Sequence, residues 1–159
     1  MKKHKLFYWR TALEHLDHPT LEQWNKRRDW FVAFIFDYEE RGSYLVGEQA
    51  CAIISDVQSC FCAGAWAATI VLAFAVIEAN LQETNETGKK QRSVELLSSF
   101  SSDNKFDILR KRRNALIHAT PNNPAITTDQ QWDDRDSLES EAKAAVELMF
   151  IAFYSQAGT

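Results

Sequence analysis

Residues 109–124 read LRKRRNALIHATPNNP, and they hold most of the chemistry this chain can offer. Four cations stand in a row, Arg110-Lys111-Arg112-Arg113. Asn114 follows, then His118 five positions after Arg113, then a turn bracketed by Pro121 and Pro124. An imidazole titrates near neutral pH and serves as general acid or base. A guanidinium holds a phosphate and offsets the charge that develops on it. Arg and His together therefore suit phosphoryl chemistry, with Asn114 able to orient either partner.

The pair needs a helix. Asp103 is a helix-start residue and the two prolines forbid continuation, so a helix is expected over about 103–119. On it Phe106, Leu109, Arg113 and Leu116 share one stripe, and Asp107, Lys111, Asn114 and His118 fall on a neighbouring polar one. Arg113 thus occupies a core-facing position, where a charge is costly without a partner. Glu78 is the expected partner, being the first acid after a long uncharged run. His118 falls in the last turn, where the helix dipole favours a cation.

Six further segments surround this helix. Thr20-Leu21-Glu22-Gln23 has the form of a capping box, and Leu21, Trp24, Arg28, Phe31, Ile35 and Tyr38 recur at helical spacing up to Arg41-Gly42. Helices are expected at about 43–61, with a kink or turn at Cys62-Ala63-Gly64, then at 64–84 and at 93–101. TNETGKKQ (84–91) reads as a polar loop, and PNNPAITTDQQWDD as a structured loop carrying Trp132. Asp136-Ser137-Leu138-Glu139 is expected to cap a last helix reaching about 155. Its apolar stripe is Leu138, Ala142, Ala145, Val146, Met149 and Phe153, with Glu139, Glu141, Lys143 and Glu147 facing water. A short helix is also expected around 5–16, where Phe7-Tyr8-Trp9-Arg10 follows Lys2, Lys3 and Lys5. That arm either packs on the core or tracks single-stranded RNA.

With no strand pattern, few glycines (5) and few prolines (3), the 159 residues predict one all-α domain: an up-and-down four-helix bundle core over 43–155, with residues 1–41 as an N-terminal helical extension. A net charge of −4 gives no global attraction to nucleic acid, but cations cluster at 2–10, 26–28 and 110–113, and acids at 129–147. The uncharged run from Val57 to Ile77 is long enough to span a bilayer. Its Gly/Ala/Ser-rich first half and the acids at both flanks favour a buried core helix instead. The start of the chain lacks the pattern of a signal peptide, and the three cysteines read as reduced core thiols, which together predict a cytoplasmic protein. No spacing implies a metal or an organic cofactor.

Arg113-Asn114-Ala115-Leu116-Ile117-His118 resembles the Arg-x4–6-His signature of the HEPN superfamily, in which the residue after the Arg is commonly Asn, Asp or His. Arg112 meets the looser spacing as well, and Asn114 selects Arg113. The position fits too, on the third helix of a four-helix core, after an Ala-rich apolar helix with an acid near its end. The resemblance implies a metal-independent endoribonuclease that cuts RNA through the ribose 2′-OH, at a site built by two copies of the chain, in a toxin or antiphage-defence setting. It gives His118 the role of general acid or base, Arg113 that of phosphate holder, and Asn114 that of orienting group. Arg110, Lys111 and Arg112 would add substrate contacts and Glu78 would support Arg113. An antitoxin or another protein partner would accompany such an effector. The tyrosine that a toxin branch carries two residues after the His is Thr120 here. The alternative is a noncatalytic HEPN-like module binding RNA, a nucleotide or a protein, and an Arg113 locked to Glu78 would favour it. A third class, a membrane-associated helical protein, rests on the Val57–Ile77 run alone.

Overall fold

The computed structural model describes residues 17–158, and the expected helix around 5–16 lies outside them. Among the described residues there are seven helices: α1 (Leu21–Glu39), α2 (Glu48–Ala63), α3 (Trp66–Glu83), α4 (Ser93–Phe100), α5 (Asn104–Ile117), α6 (Thr128–Asp133) and α7 (Arg135–Phe153). The all-helical class read from the sequence holds. Among the described residues, β pairing is confined to one antiparallel bridge, Tyr44 with Ala157.

α1 begins where its capping box directs. Thr20 Oγ1 accepts from the Gln23 amide at 3.1 Å, and Gln23 Oε1 accepts from the Thr20 amide at 2.9 Å. The second half of the expected stripe holds: Phe31 is buried, and Ile35 and Tyr38 pack on the core beside Trp30 and Phe34. The first half does not, since Leu21 (75% exposed) and Arg28 face solvent. From Trp30 onward the helix meets aromatic partners: Trp30 stacks on Phe61, Phe34 on Phe150 and Tyr38 on Tyr154. α1 and α7 therefore run side by side in the same direction.

The long uncharged run does not form one helix. α2 stops at Gly64, whose φ of +76° is left-handed, and the Gly64 and Ala65 amides donate back to Phe61 and Cys60. α3 then starts afresh, and among the described residues no helix is long and apolar enough to cross a membrane. The guanidinium groups of Arg27 and Arg135 close the turn by donating to the Cys62 and Gly64 carbonyls, and both lie over the Trp66 ring. These carbonyls are the negative end of α2, so cations are the chemically apt cap.

α3 is the central element, packed along its length on both α2 and α7. Trp66, Ile70, Ala73, Phe74, Val76 and Ile77 are buried together with the polar Thr69 and Asn80. Asn80 is fully enclosed and ties three segments: its Oδ1 accepts from the Gly47 amide at 2.8 Å, and its Nδ2 donates to the carbonyls of Ala152 (3.1 Å) and Phe153 (3.3 Å). α2 begins at Glu48, five residues later than expected. Residues 43–45 are used to pair with 156–158, through Leu45 N–H to Gln156 O and Gly158 N–H to Ser43 O. α7 starts at Arg135 with Asp134 as its flanking residue and no side-chain cap, so the cap expected at Asp136 is absent. Of the cysteines, Cys62 is buried, Cys60 half-buried and Cys51 exposed, which corrects the reading of three core thiols; burial pushes the Cys60 and Cys62 thiols up from their ordinary range.

Candidate functional site

α5 is held by its first half. Asp103 caps it, accepting from the Lys105 amide at 2.9 Å. Phe106 and Leu109 are buried, with the Phe106 ring edge-on to Phe100 of α4 at 5.2 Å. This fixes the rotation of the helix and so decides where each of the four cations goes. They go to different places.

Arg110 and Lys111 both fold back on Asp107. Arg110 reaches one carboxylate oxygen from Nε (2.9 Å) and Nη2 (2.8 Å), and Lys111 Nζ reaches the other at 2.8 Å. Lys111 first, then Arg110, hold the Asp107 carboxyl below the usual carboxylate range. Arg112 leaves the helix on the side of α7. It forms a two-pronged pair with Glu141, Nε to Oε1 at 2.5 Å and Nη2 to Oε2 at 3.1 Å, while Nη1 donates to the Ala125 carbonyl. Glu141 was expected to face water, as was Glu139. Instead Glu141 anchors α5 to α7, and Glu139 lies between Lys143 (2.9 Å) and Arg27 (3.9 Å).

Arg113 turns inward, as its place on the apolar stripe requires. Its guanidinium lies 4.4 Å over the Phe74 ring of α3, and one nitrogen, Nη2, meets Glu78 Oε2 at 3.2 Å. The other Glu78 oxygen accepts from the Ser93 hydroxyl at the start of α4. Arg113 thus sits where α3, α4 and α5 meet, its side chain 18% exposed. Among the described residues, Nη2 is the Arg113 nitrogen that a protein acceptor engages. The contrast with Arg112, whose three nitrogens are all committed, separates two neighbours that the sequence pattern could not.

His118 is the residue at which the helix ends. Its amide still donates to the Asn114 carbonyl at 2.9 Å, but its backbone (φ −121°, ψ 101°) has left the helix, and the residue is exposed. Asn114, half-buried, lies one turn before it, about 6 Å along the axis. Beyond His118 the chain turns at Thr120–Asn123, where Asn123 N–H donates to Thr120 O and Asn122 takes a φ of +61°. The segment expected as a structured loop carries a short helix, α6, opened by a capping box between Thr127 and Gln130.

Arg113 and Glu78 are therefore brought together as expected, Asn114 and His118 lie on successive turns, and Arg110, Lys111 and Arg112 are each drawn to an acid of the same chain. The roles of Phe74 and Ser93 around Arg113, and of Glu141 and Ala125 around Arg112, were missed. The signal for Glu141 was its partial periodicity with the apolar stripe of α7, one residue before Ala142. Compared with family models, curated proteins and solved structures, the chain finds no match in any of the three.

Proposed function

We propose that the chain is a metal-independent endoribonuclease of the HEPN type, with a four-helix core and a site completed by a second copy. The reading rests on the Arg113–His118 signature and on where its two members lie: a guanidinium oriented by Glu78 through Nη2, and an exposed imidazole at the free end of the same helix. In this reaction the ribose 2′-OH attacks the adjacent phosphorus, the 5′-oxygen leaves, and the products are a 2′,3′-cyclic phosphate and a 5′-hydroxyl. A base takes the 2′-OH proton and an acid protonates the leaving oxygen. One chain offers a single histidine beside the signature arginine, so a two-fold site supplies both from His118 and His118 of the partner subunit. Arg113 meets the charge that grows on the phosphoryl oxygens, and Asn114 orients His118 or the phosphate. Arg110 and Lys111 give an entering RNA backbone its positive flank once they exchange Asp107 for phosphate. A cytoplasmic toxin or defence effector, restrained by a protein partner, is the setting this chemistry suits.

A second reading has a specific observation behind it. Arg113 is already paired with Glu78 and covered on one face by Phe74, as a structural arginine would be, which favours a noncatalytic HEPN-like module that binds RNA, a nucleotide or a protein.

The deciding experiment is cleavage of total cellular RNA in EDTA by the purified chain, beside His118→Ala and Arg113→Ala variants shown to be folded. Cyclic-phosphate ends, lost at least 100-fold in both variants, are the expected outcome. RNA binding without cleavage, unchanged by His118→Ala, would move the assignment to the second reading.

A further inference from the structure

Between α1 and α7 lies a cleft of about 240 Å³, lined by Gln23, Lys26, Arg27 and Trp30 of α1 and by Glu139 and Lys143 of α7. Three cations face it against one acid, and Glu139 cannot answer all three. Its Oε1 holds Lys143 Nζ at 2.9 Å, while its Oε2 stands 3.9 Å from Arg27 Nη2, a charge contact too long for a hydrogen bond. Among the described residues Lys26 has no acid within ion-pair distance, Glu22 and Asp29 of the same helix included.

The imbalance deepens behind Arg27. Its side chain is only 17% exposed, and its Nη1 is spent on the Cys62 carbonyl. Arg135 donates from Nη2 to the neighbouring Gly64 carbonyl, and both guanidinium groups lie over the Trp66 ring. The end of the α2 dipole that they share is worth roughly half an elementary charge, against two full positive ones. Arg135 Nη1 is buried with no acceptor among the described residues. Burial first, and then the charge of Arg27, hold Arg135 below the usual arginine range. Lys26, Arg27, Arg135 and Lys143 thus share one carboxylate. A partly desolvated cation cluster short of acids is stabilised by an anion that reaches it.

The anion that fits is a phosphate group. Arginine offers phosphate oxygens a planar set of donors, lysine a mobile point charge, and Gln23 adds an amide N–H. The volume lies below the roughly 300–1,000 Å³ of pockets that enclose a whole ligand, so the cleft takes the phosphate end and the remainder stays outside. A nucleic-acid strand fits less well, because strand-binding grooves offer open aromatic faces. Here Trp30 is stacked on Phe61, and Lys143 Nζ stands 5.7 Å from its ring centre.

We propose that the α1–α7 cleft binds the phosphate end of a small phosphomonoester or diphosphate through Lys26, Arg27 and Lys143, with Lys143 turning from Glu139 to the incoming oxygens. The inference is independent of the ribonuclease reading, because it involves neither Arg113 nor His118.

Titration of the full chain with inorganic pyrophosphate and with glycerol 3-phosphate tests it, in EDTA at low ionic strength, followed by amide NMR shifts. The expected result is saturating shifts at residues 23–30 and 139–143, with a Kd for pyrophosphate below about 1 mM. Lys26→Ala/Lys143→Ala should weaken binding about 10-fold or more, the worth of a charge-assisted contact. An unchanged urea midpoint reports that this variant keeps its fold. Glu139→Gln removes the competing carboxylate and should tighten binding about 3-fold. Lys89→Ala/Lys90→Ala removes the same charge at the other end of α3 and should leave binding unchanged. The absence of saturating shifts up to about 10 mM of either probe would overturn the proposal. So would binding that survives the Lys26/Lys143 substitutions, or that falls equally in the Lys89/Lys90 variant, since net charge alone would then explain it. Unchanged or weaker binding in Glu139→Gln would show the acid building the site rather than opposing the anion, and would overturn it too. Single-stranded RNA bound more tightly than pyrophosphate, and lost in the Lys26/Lys143 variant, would assign the cleft to a strand and overturn the small-ligand assignment.

Discussion

Replacing Asn80 should destabilise this fold more than almost any other single change outside the apolar core. The side chain is fully buried, and its amide is the joint between the start of α2, the middle of the molecule and the end of α7. Asn80→Ala removes the partner of the buried Gly47 N–H and of the Phe153 carbonyl, while the Ala152 carbonyl keeps the Ser155 hydroxyl at 2.8 Å. A buried polar group left unmatched costs about 1–3 kcal/mol, so the two together come to about 2–5 kcal/mol. For a chain of this size that is a fall in Tm of about 10 °C. Urea unfolding followed by circular dichroism measures it, with a lower midpoint at an unchanged slope. Asn80→Leu separates hydrogen bonding from packing, since it restores volume and leaves the Gly47 N–H and the Phe153 carbonyl unmatched. It should stay within about 1 kcal/mol of the alanine variant. A leucine variant as stable as the wild type would refute the reasoning, because packing alone would then account for the position.

Three other outcomes are expected. Gly64→Ala forces a side chain into the left-handed region and brings its Cβ to 3.0 Å from Arg27 Nη1 and 3.2 Å from Arg135 Nη2, so it should cost about 1–2 kcal/mol in the same urea assay. Arg112→Ala removes the tie from α5 to α7; the pair is partly solvent-screened, so a loss of about 1 kcal/mol is expected, with far-UV helicity retained. Tyr154 is pushed up to about 12, first by burial and then by the nearby Glu39 carboxylate. Its folded pKa lies above the ordinary 10, so its contribution to stability is full below about pH 10 and is lost as pH rises towards 12. Tyr154→Phe should flatten the alkaline limb of the stability curve in that window, and absorbance at 295 nm should show one phenolate fewer in the late titration.

Local chemistry explains what was legible in the sequence. Thr20 with Gln23, Gly64 and Asp103 set the start of α1, the end of α2 and the start of α5, because each acts on backbone groups within a few residues. Glu78 could be matched with Arg113 because few acids were available after the uncharged run. Features made by distant segments escaped. Of the residues lost from the start of α2, Ser43, Tyr44 and Leu45 pair with residues more than a hundred positions away, and no local signal marks them. Arg112 and Arg113 are adjacent cations in the sequence, and only the rotation of α5 sends one to Glu141 and the other to Glu78. α6 is a different kind of miss: Thr127 and Gln130 form the same capping box that located α1, but the flanking prolines and asparagines outweighed it.

The partnership of α3 with α7 constrains how the protein is made. The most apolar helix of the chain is complete once residue 83 has been synthesised, yet one of its two main neighbours begins at residue 135, and Asn80 reaches partners 72 and 73 residues downstream. At a synthesis rate of about 5–20 residues per second, the side of α3 that α7 covers waits for seconds without its partner. During that interval the nascent chain presents a largely apolar helical face to ribosome-associated chaperones and to other chains. Nascent chains arrested before α7 should therefore associate with holdase chaperones and resist purification, whereas release of the full chain lets α7 dock and closes the molecule in one late step.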